Sequence, residues 1–178
     1  ASVAGVPVVT GDTKVVEKGK ADGLFINTAG VGLVEEGRRV SGRPIKEGDA
    51  VLLSGTIGDH GIAVFSAREE LHLKTPVLSD CAALHRLIGE VLDECAGEVR
   101  FMRDPTRGGL AAVLNEVAGD RKIGLLLKES EILVREEVRA VCELMGFDPL
   151  HLANEGKVLI IAAREAEEKI LRILRGNE

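Results

Sequence analysis

The sequence has no tryptophan, no tyrosine and only four phenylalanines among its 178 residues. Aromatic side chains are the platforms on which proteins stack the bases of single-stranded nucleic acids. Basic residues are also outnumbered, 23 against 29 acidic ones, which gives a net charge of −6. Because these basic residues are scattered rather than clustered, the sequence argues against a nucleic-acid-binding surface.

Cysteine and long apolar runs are scarce as well. Cys81, Cys95 and Cys142 are odd in number and widely spaced, so we expect buried free thiols rather than disulfides or metal ligands. No apolar run is long enough to span a bilayer, and no stretch has the pattern of a signal peptide. We therefore expect a soluble, cytoplasmic protein without membrane association.

The chain does contain alternating strand and helix patterns. Its composition, 45% hydrophobic and 29% charged with 21 glycines, is typical of a globular domain. Short apolar runs predict strands over 6–10, 24–34, 50–54, 99–102, 123–127 and 157–162, and helical periodicity predicts helices over 62–70, 84–95, 135–145 and 164–174. We predict an α/β (α+β) sandwich, in which helices pack on a mixed β-sheet.

A polar segment near residue 40 divides the chain. The stretch EEGRRVSGRPIKEGD has three glycines and a proline and no sustained apolar period, which is typical of a connection between structural units. We predict that residues 1–41 form one unit with the linker and that residues 42–178 form the main domain.

The segment GDTK directly follows the predicted strand over 6–10. Asp12 and Lys14 lie two residues apart, so their side chains point to the same side of an extended chain. Asp12 could bind a metal ion, and Lys14 could serve phosphate binding or proton transfer. On spacing alone, a solvated turn with a weak ion pair is the simpler interpretation.

The stretch RDPTRGGLAAVLNEVA begins as a polar turn and ends as an amphipathic helix. Its apolar stripe consists of Leu110, Val113, Leu114 and Val117. Thr106 can cap the free backbone N–H groups, and such a helix start favours anions, which Arg107 would reinforce. An ordinary capped helix docked on a sheet explains the pattern equally well.

Two further loops carry polar groups. GTIGDHG follows a predicted strand but lacks the lysine and hydroxyl of a Walker loop, and its His60 is an acid, a base or, most simply, a hydrogen-bond donor at a helix start. LANEGK places Asn154 and Glu155 just before a strand. Glu155 is either a base beside a cleft or a turn carboxylate in water.

Five stretches together, in order and spacing, carry a resemblance. VPVVTGDTKVV, GLFINTAGVG, LSGTIGDHGIAV, FMRDPTRGGLAAVLNEVA and DPLHLANEGKVLI closely resemble the second part of the HypE family of hydrogenase maturation proteins. That family belongs to the superfamily of aminoimidazole ribonucleotide synthetase and selenophosphate synthetase. The resemblance covers nearly the whole chain and favours functional roles for GDTK and LANEGK.

The resemblance implies an ATP-dependent reaction. Such proteins dehydrate a carboxamide on the sulfur of their own C-terminal cysteine to a thiocyanate, whose cyanide becomes a ligand of the iron in nickel–iron hydrogenase. ATP and magnesium are the implied cofactors, with Asp12 as a magnesium or nucleotide ligand. Lys14 and Glu155 are the implied catalytic pair. The implied or inferred cleft residues are Asp12, Thr13, His60, Asp104, Thr106, Arg107, Gly108 and Asn154, with no role assigned to His60.

The resemblance also implies partners and raises alternatives. The implied partners are a carbamoyltransferase maturation protein and the iron-carrying scaffold complex, and full-length relatives form homodimers. This sequence begins after the family's aspartate-rich motifs and ends at LRGNE without the acceptor cysteine, so we expect a fragment that is inactive alone. The alternatives are another ATP-dependent synthetase or kinase of the superfamily, against which the lysine of GDTK argues, and a non-catalytic docking module for the maturation partners.

Overall fold

The computed structural model describes residues 1–21, 23–36, 38, 40, 44–68 and 76–177. Within them lie three strands and five α-helices. In chain order these are β1 (Ala50–Leu53), α1 (Asp59–Arg68), α2 (His85–Cys95), β2 (Val99–Arg103), α3 (Gly109–Arg121), α4 (Glu136–Met145), β3 (Leu159–Ala162) and α5 (Glu167–Gly176). Short 3-10 helices lie at Glu129–Glu131, Pro149–His151 and Arg164–Ala166.

The sheet has the order β1–β3–β2, so the last strand in the sequence is the central one. Ala50 pairs with Ala162 on one side, and Arg103 pairs with Leu159 on the other. Both pairings are antiparallel, so the described part of the sheet is antiparallel throughout rather than mixed. All four residues of β3 are buried, as expected of a strand that is covered on both faces.

Helices cover the two faces of the sheet, which confirms the predicted sandwich class. Helices α2 and α5 pack on one face, where Ile160 of β3 contacts a core that includes Val91 and Ile170. Helix α3 packs on the other face through the predicted stripe, whose four residues are all buried, and Leu110 and Val113 join Leu159 there. Helices α1 and α4 form a smaller cluster of their own beside the sheet.

Most predicted elements of the main domain are confirmed, with shifted ends. The helix predicted from residue 62 begins three residues earlier, at Asp59, inside the GTIGDHG loop. Its predicted end at residue 70 lies outside the described residues. Gly146 ends α4 as predicted, in the left-handed conformation with φ 71°. The proposed boundary at residues 41 and 42 also lies outside the described residues, so the division into two units stays a prediction.

Three predicted strands are wrong. Residues 6–10, 24–34 and 123–127 pair with no other described strand. Their apolar side chains are largely exposed, as for Val9 (86%), Val31 (104%) and Leu126 (91%). A strand needs a partner for its backbone groups, and these segments have none among the described strands, although Leu125 packs partly buried against the α3 cluster. None of the described helices has both the length and the apolar character needed to cross a bilayer.

Candidate functional site

Asn154 joins three of the loops that the sequence pointed to. Its side chain is fully buried, and its Oδ1 accepts a hydrogen bond from the N–H of Gly58 at 2.8 Å. Its Nδ2 donates to the carbonyls of Pro105 and Leu152 at 3.1 and 2.9 Å. An amide has both donors and an acceptor, so one side chain satisfies groups of GTIGDHG, DPTRGG and LANEGK. Asn154 therefore organises the site instead of presenting a free group to a ligand.

Glycines allow these loops to approach one another closely. Gly109 has φ +64°, and a Cβ there would lie 2.5 Å from the carbonyl oxygens of Leu150 and Leu152. A Cβ on Gly156 would lie 1.7 Å from the carbonyl oxygen of Asp80. Only glycine combines this backbone conformation or this proximity with low strain. The LANEGK segment is thus packed between the start of α3 and the segment around residue 80.

His60 and Glu155 meet at the exposed edge of this junction. Nε2 of His60 lies 3.9 Å from Oε1 of Glu155, and Nδ1 lies 2.8 Å from Oγ of Ser79. His60 is the second residue of α1, so the helix start positions the imidazole. The predicted contribution of both residues to one site is consistent with this geometry. Glu155 is 41% exposed at its side chain, so it remains accessible.

Asp80 and Lys157 hold Glu155 from below. Oδ1 of Asp80 accepts a hydrogen bond from the backbone N–H of Glu155 at 3.2 Å. Oδ2 of Asp80 lies 3.7 Å from Nζ of Lys157, and the two side chains are only 4% and 16% exposed. Burial of this pair is compatible with its opposite charges. These contacts fix the position of the Glu155 backbone, while its carboxylate remains accessible to solvent.

Asp59 forms a second buried charged group. It is 2% exposed, accepts a hydrogen bond from the Thr56 hydroxyl at 2.5 Å, and lies 3.1 Å from Nε of Arg135. Because Asp59 stands at the start of α1, its charge is favoured there by the helix dipole. We assign it a structural role in fixing the GTIGDHG loop.

The start of α3 differs in detail from the prediction. Gly108 is the N-cap in the left-handed conformation, and no side chain caps the helix. The predicted Thr106 cap is therefore wrong; Thr106 contributes its carbonyl, which accepts the N–H of Gly109 at 3.1 Å. A tight glycine turn removes the space and geometry for a hydroxyl cap. Asp104 and Arg107, which lie just before the helix, are exposed.

The GDTK segment lies apart from these contacts. Asp12, Thr13 and Lys14 are exposed, and the carboxylate of Asp12 accepts a hydrogen bond from the N–H of Thr13 at 2.8 Å. No hydrogen bond or ion pair links Asp12 or Lys14 to another loop within the described residues. The pairing of Lys14 with Glu155 across an interface therefore stays a prediction.

The implied cofactors fit the described residues unequally. The exposed Arg107 at the start of a 13-residue helix suits phosphate groups. For magnesium, no group of three or more histidine, cysteine, aspartate or glutamate side chains is arranged to hold a metal ion in the part of the chain that the structure describes. Asp12 is a single exposed carboxylate, which would supply one oxygen to an ion that takes its other ligands from phosphates and water.

Sequence reasoning missed several residues of the site. Ser79, Asp80, Cys81 and Lys157 all lie against it. Cys95 and Cys142 are buried as predicted, and burial raises the pKa of both thiols, whereas the exposed Cys81 contradicts the expectation of buried thiols. The SDC stretch, residues 79–81, has no periodicity or spacing typical of a functional site. Its place in the site is visible only in the structure, where Gly156 packs against the carbonyl of Asp80.

A groove of about 1100 Å³ lies elsewhere, along β1. It is lined by residues 45–55, 123–128 and 131–133, by Leu110 and Arg164, and by parts of β3 and α5. None of the predicted site residues is among the described residues that line it. The groove and the polar site around Glu155 are therefore separate features.

Comparison with known proteins gives consistent matches. Residues 46–178 match the family model of the AIR synthase related protein, C-terminal domain. Over 174 residues the chain is 52% identical to a protein named carbamoyl dehydratase HypE from Bradyrhizobium diazoefficiens, covering 98% of this chain and 50% of that protein. The chain spans about half the length of the curated relatives it matches.

Solved structures agree with these matches. The crystal structure of a HypE–HypF complex matches with a TM-score of 0.72 and 48% identity, covering 75% of this chain and 44% of that chain. A HypE structure in complex with ATP matches with a TM-score of 0.69 and 45% identity, covering 78% and 40%. Thiamine monophosphate kinase from Aquifex aeolicus, at 18% identity and a TM-score of 0.55, shares the fold alone. Because that family model matches residues 46–178, three quarters of this chain, the chain belongs to the family of the AIR synthase related protein, C-terminal domain.

Proposed function

We propose that this chain is part of an ATP-dependent carbamoyl dehydratase of hydrogenase maturation. The reaction removes water from a carboxamide on a C-terminal cysteine sulfur and yields a thiocyanate, the source of the cyanide ligand of iron in nickel–iron hydrogenase. The observation that carries the proposal is the identity of 52% along nearly the whole chain to a carbamoyl dehydratase HypE. The relatives are twice as long as this chain, so the complete activity is proposed for a protein of their length.

The chemistry has two requirements. An amide oxygen is a poor leaving group, and the amide protons need an acceptor. ATP would supply the phosphoryl group that turns the oxygen into part of a phosphate. Glu155 is the proposed proton acceptor because its carboxylate is accessible, while Asp80 and Gly156 hold its backbone. Lys14 is its proposed partner, and His60 orients the carboxylate from 3.9 Å.

The start of α3 is the proposed site for phosphate groups. Arg107 would donate a forked pair of hydrogen bonds to the anion, and the dipole of α3 would favour its negative charge. Asp104 and Thr106 would line the same turn, with Asn154 holding it in place through Pro105. Thr13 is proposed to contact the nucleotide from GDTK. Because the described residues do not gather a magnesium site, we assign no step to this ion, and Asp12 stays a proposed single ligand.

We further propose that the protein is cytoplasmic and that a carbamoyltransferase maturation protein is its partner. A relative at 48% identity forms a HypE–HypF complex, which supports this assignment. The iron-carrying scaffold complex and a homodimer of the longer protein are proposed on the family resemblance. A docking module without catalysis is the competing function for the same surface.

The test compares variants in a protein of the relatives' full length that carries a carboxamide on its C-terminal cysteine. Mass spectrometry of the C-terminal peptide measures the ATP-dependent loss of one water. We expect Glu155→Gln and Lys14→Ala each to lower the rate by about 100-fold or more. Glu168→Gln, at an exposed position of α5, is the matched control and keeps the parent rate.

Two outcomes would separate the competing functions. If Glu155→Gln keeps the parent rate, Glu155 is not the proton acceptor. If neither parent nor variants lose water while both bind the carbamoyltransferase equally, the chain is a docking module.

Calorimetric titration with Mg-ATP locates the nucleotide site. We expect heat of binding from the longer protein and none from this chain alone. Binding by this chain alone would instead mean that GDTK and DPTRGG hold the phosphates without further residues.

A further inference from the structure

Four polar side chains form a connected line beside the loop junction. Oγ of Ser79 donates a hydrogen bond to Sγ of Cys81 at 3.1 Å, and it lies 2.8 Å from Nδ1 of His60. Nε2 of His60 lies 3.9 Å from Oε1 of Glu155. The order is thiol, hydroxyl, imidazole and carboxylate. A nucleophile followed by a base and by a group that orients the base is the arrangement of enzymes that use an activated thiol.

The hydrogen-bond directions suit a thiolate. The hydroxyl oxygen of Ser79 accepts the backbone N–H of Cys81 at 3.3 Å, and it can also accept from Nδ1–H of His60. Its own proton then points to the sulfur, as its 3.1 Å donation requires. Sγ of Cys81 also lies 3.9 Å from Nδ1 of His60. This is the arrangement after proton transfer: the transfer starts with the Ser79 hydroxyl donating to an unprotonated Nδ1, and as the thiol proton passes to Oγ, the hydroxyl proton passes to Nδ1. Glu155 faces the imidazole on its other side.

The segment that carries the thiol is anchored. Asp80, between Ser79 and Cys81, binds the backbone N–H of Glu155 and pairs with Lys157. Its side chain is only 4% exposed, and its Oδ2 makes no hydrogen bond within the described residues. Gly156 packs against the Asp80 carbonyl. The four groups are thus held together by backbone contacts and not only by their own side chains.

The other two thiols provide an internal contrast. Cys95 and Cys142 are 1% and 2% exposed, and burial raises the pKa of both. Neither is accessible to a solute, whereas Cys81 is exposed. A thiol must be accessible before its thiolate can attack a disulfide or an electrophile, and Cys81 alone of the three cysteines meets this requirement.

We propose that Cys81 is a nucleophilic thiol that exchanges with small soluble disulfides, with Ser79 and His60 receiving its proton. In the step, the Cys81 thiolate attacks one sulfur of the disulfide, the S–S bond breaks, and a mixed disulfide forms. The released thiolate takes the proton that Cys81 gave up. The small disulfide is the oxidant, and one of its halves leaves reduced. The adduct lies against His60 and Glu155, so modification blocks the edge of the site.

The test treats this chain with oxidised glutathione at neutral pH and without ATP. Peptide mass spectrometry follows the adduct on each cysteine. We expect the adduct on Cys81 first, released by dithiothreitol, with Cys95 and Cys142 unmodified while the chain is folded. His60→Gln and Ser79→Ala slow the exchange at Cys81 by about tenfold or more. His85→Gln, at an exposed histidine outside the site, is the control and leaves the rate unchanged.

A second measurement distinguishes a loss of Cys81 reactivity from a loss of folding. Iodoacetamide alkylation of Cys81 across pH changes its profile in His60→Gln, whereas a purely structural histidine would leave the profile unchanged. Thermal melting identifies any variant that is unfolded. If His60→Gln is unfolded, the exchange rate of Ser79→Ala, a substitution at an exposed position, tests the proposal. Equal rates in parent, His60→Gln and Ser79→Ala, or equal modification of all three cysteines in the folded chain, would overturn the proposal. Neither assay contains ATP, so their outcome is separate from that of the dehydration assay.

Discussion

The segment over residues 3–34 and the central sheet are both rich in branched apolar residues, yet they have opposite surroundings. Val31 is fully exposed, whereas Ile160 in β3 is fully buried. Each residue of β3 has a hydrogen-bonded neighbour on both sides and helices above and below. The segment over 3–34 has neither within the described chain. The same kind of side chain contributes to stability only where partners exist, because burial and not composition supplies the free energy.

The largest expected effect comes from a substitution in β3, which we compare with one in the segment over 3–34. Ile160→Ala removes a side chain that is completely enclosed, so we expect it to lower the free energy of unfolding by about 2–5 kcal/mol. Val31→Ala, its matched control in the exposed segment, changes that free energy by less than about 0.5 kcal/mol. Urea unfolding measures both. Comparable losses would mean that the segment over 3–34 is packed in solution.

A second pair compares two glycines of α3. Gly109→Ala combines a left-handed backbone with a Cβ only 2.5 Å from two carbonyl oxygens, and we expect a loss of about 2–4 kcal/mol. Gly119, in the same helix, has nothing within 4 Å of an added Cβ. Gly119→Ala therefore raises the free energy of unfolding by up to about 1 kcal/mol. Equal effects in urea unfolding would show that the close approach of α3 to residues 150–152 does not persist in solution.

Substitution of Asn154 tests whether the contacts between loops also stabilise the domain. Asn154→Ala leaves the N–H of Gly58 and two carbonyls without their partner, so we expect a loss of about 1–3 kcal/mol. Asn115→Ala is the control, because that exposed side chain only donates to the Ala111 carbonyl one turn before it. If both substitutions shift the urea midpoint equally, the three loops are not held together by Asn154.

The smallest effect concerns a surface pair that joins α2 to α5. A hydrogen bond from Lys169, at 2.9 Å, lowers the pKa of the Glu94 carboxyl, and the same bond raises the pKa of Lys169. The stabilisation by Glu94 is therefore present above the ordinary carboxyl pKa and is lost as the pH falls through its lowered value. The contribution of Lys169 is lost only as the pH rises through its raised value. Both groups are exposed, so the effect is small.

Melting temperatures across pH measure this pair. We expect the difference between parent and Glu94→Gln to be present at neutral pH, to vanish in acid, and to shrink at high salt. Glu168→Gln shows no such pH-dependent difference. A difference that persists unchanged in acid would exclude the ion pair as its cause.

Much of the main domain could be predicted because its local patterns agree with its environment. The helical stripe of Leu110, Val113, Leu114 and Val117 is buried as predicted, since a 3.6-residue repeat produces one apolar face wherever the helix docks. The prediction failed for residues 24–34 and 123–127, where apolar character is present but pairing is not. A strand is defined by its neighbours, and no local pattern supplies them.

The candidate site divides in the same way. Motif order led to His60, Asn154 and Glu155, and all three lie at one junction. The roles of Ser79, Asp80 and Cys81 could not be predicted, because their significance depends on contacts across 19 to 75 positions of the chain. Thr106 was predicted as a helix cap from local sequence, but the left-handed Gly108 took that place.

The sequence by itself determined the class of fold, the family resemblance and the apolar faces of the helices, since each depends on residue types and on spacing along the chain. Only the tertiary structure decided that β3 is central, that Asn154 is a structural clamp, and that Cys81 lies beside His60. These features arise from the burial of backbone groups and from the approach of distant glycine-bearing loops. Such contacts depend on the three-dimensional path of the whole chain, which no short segment encodes.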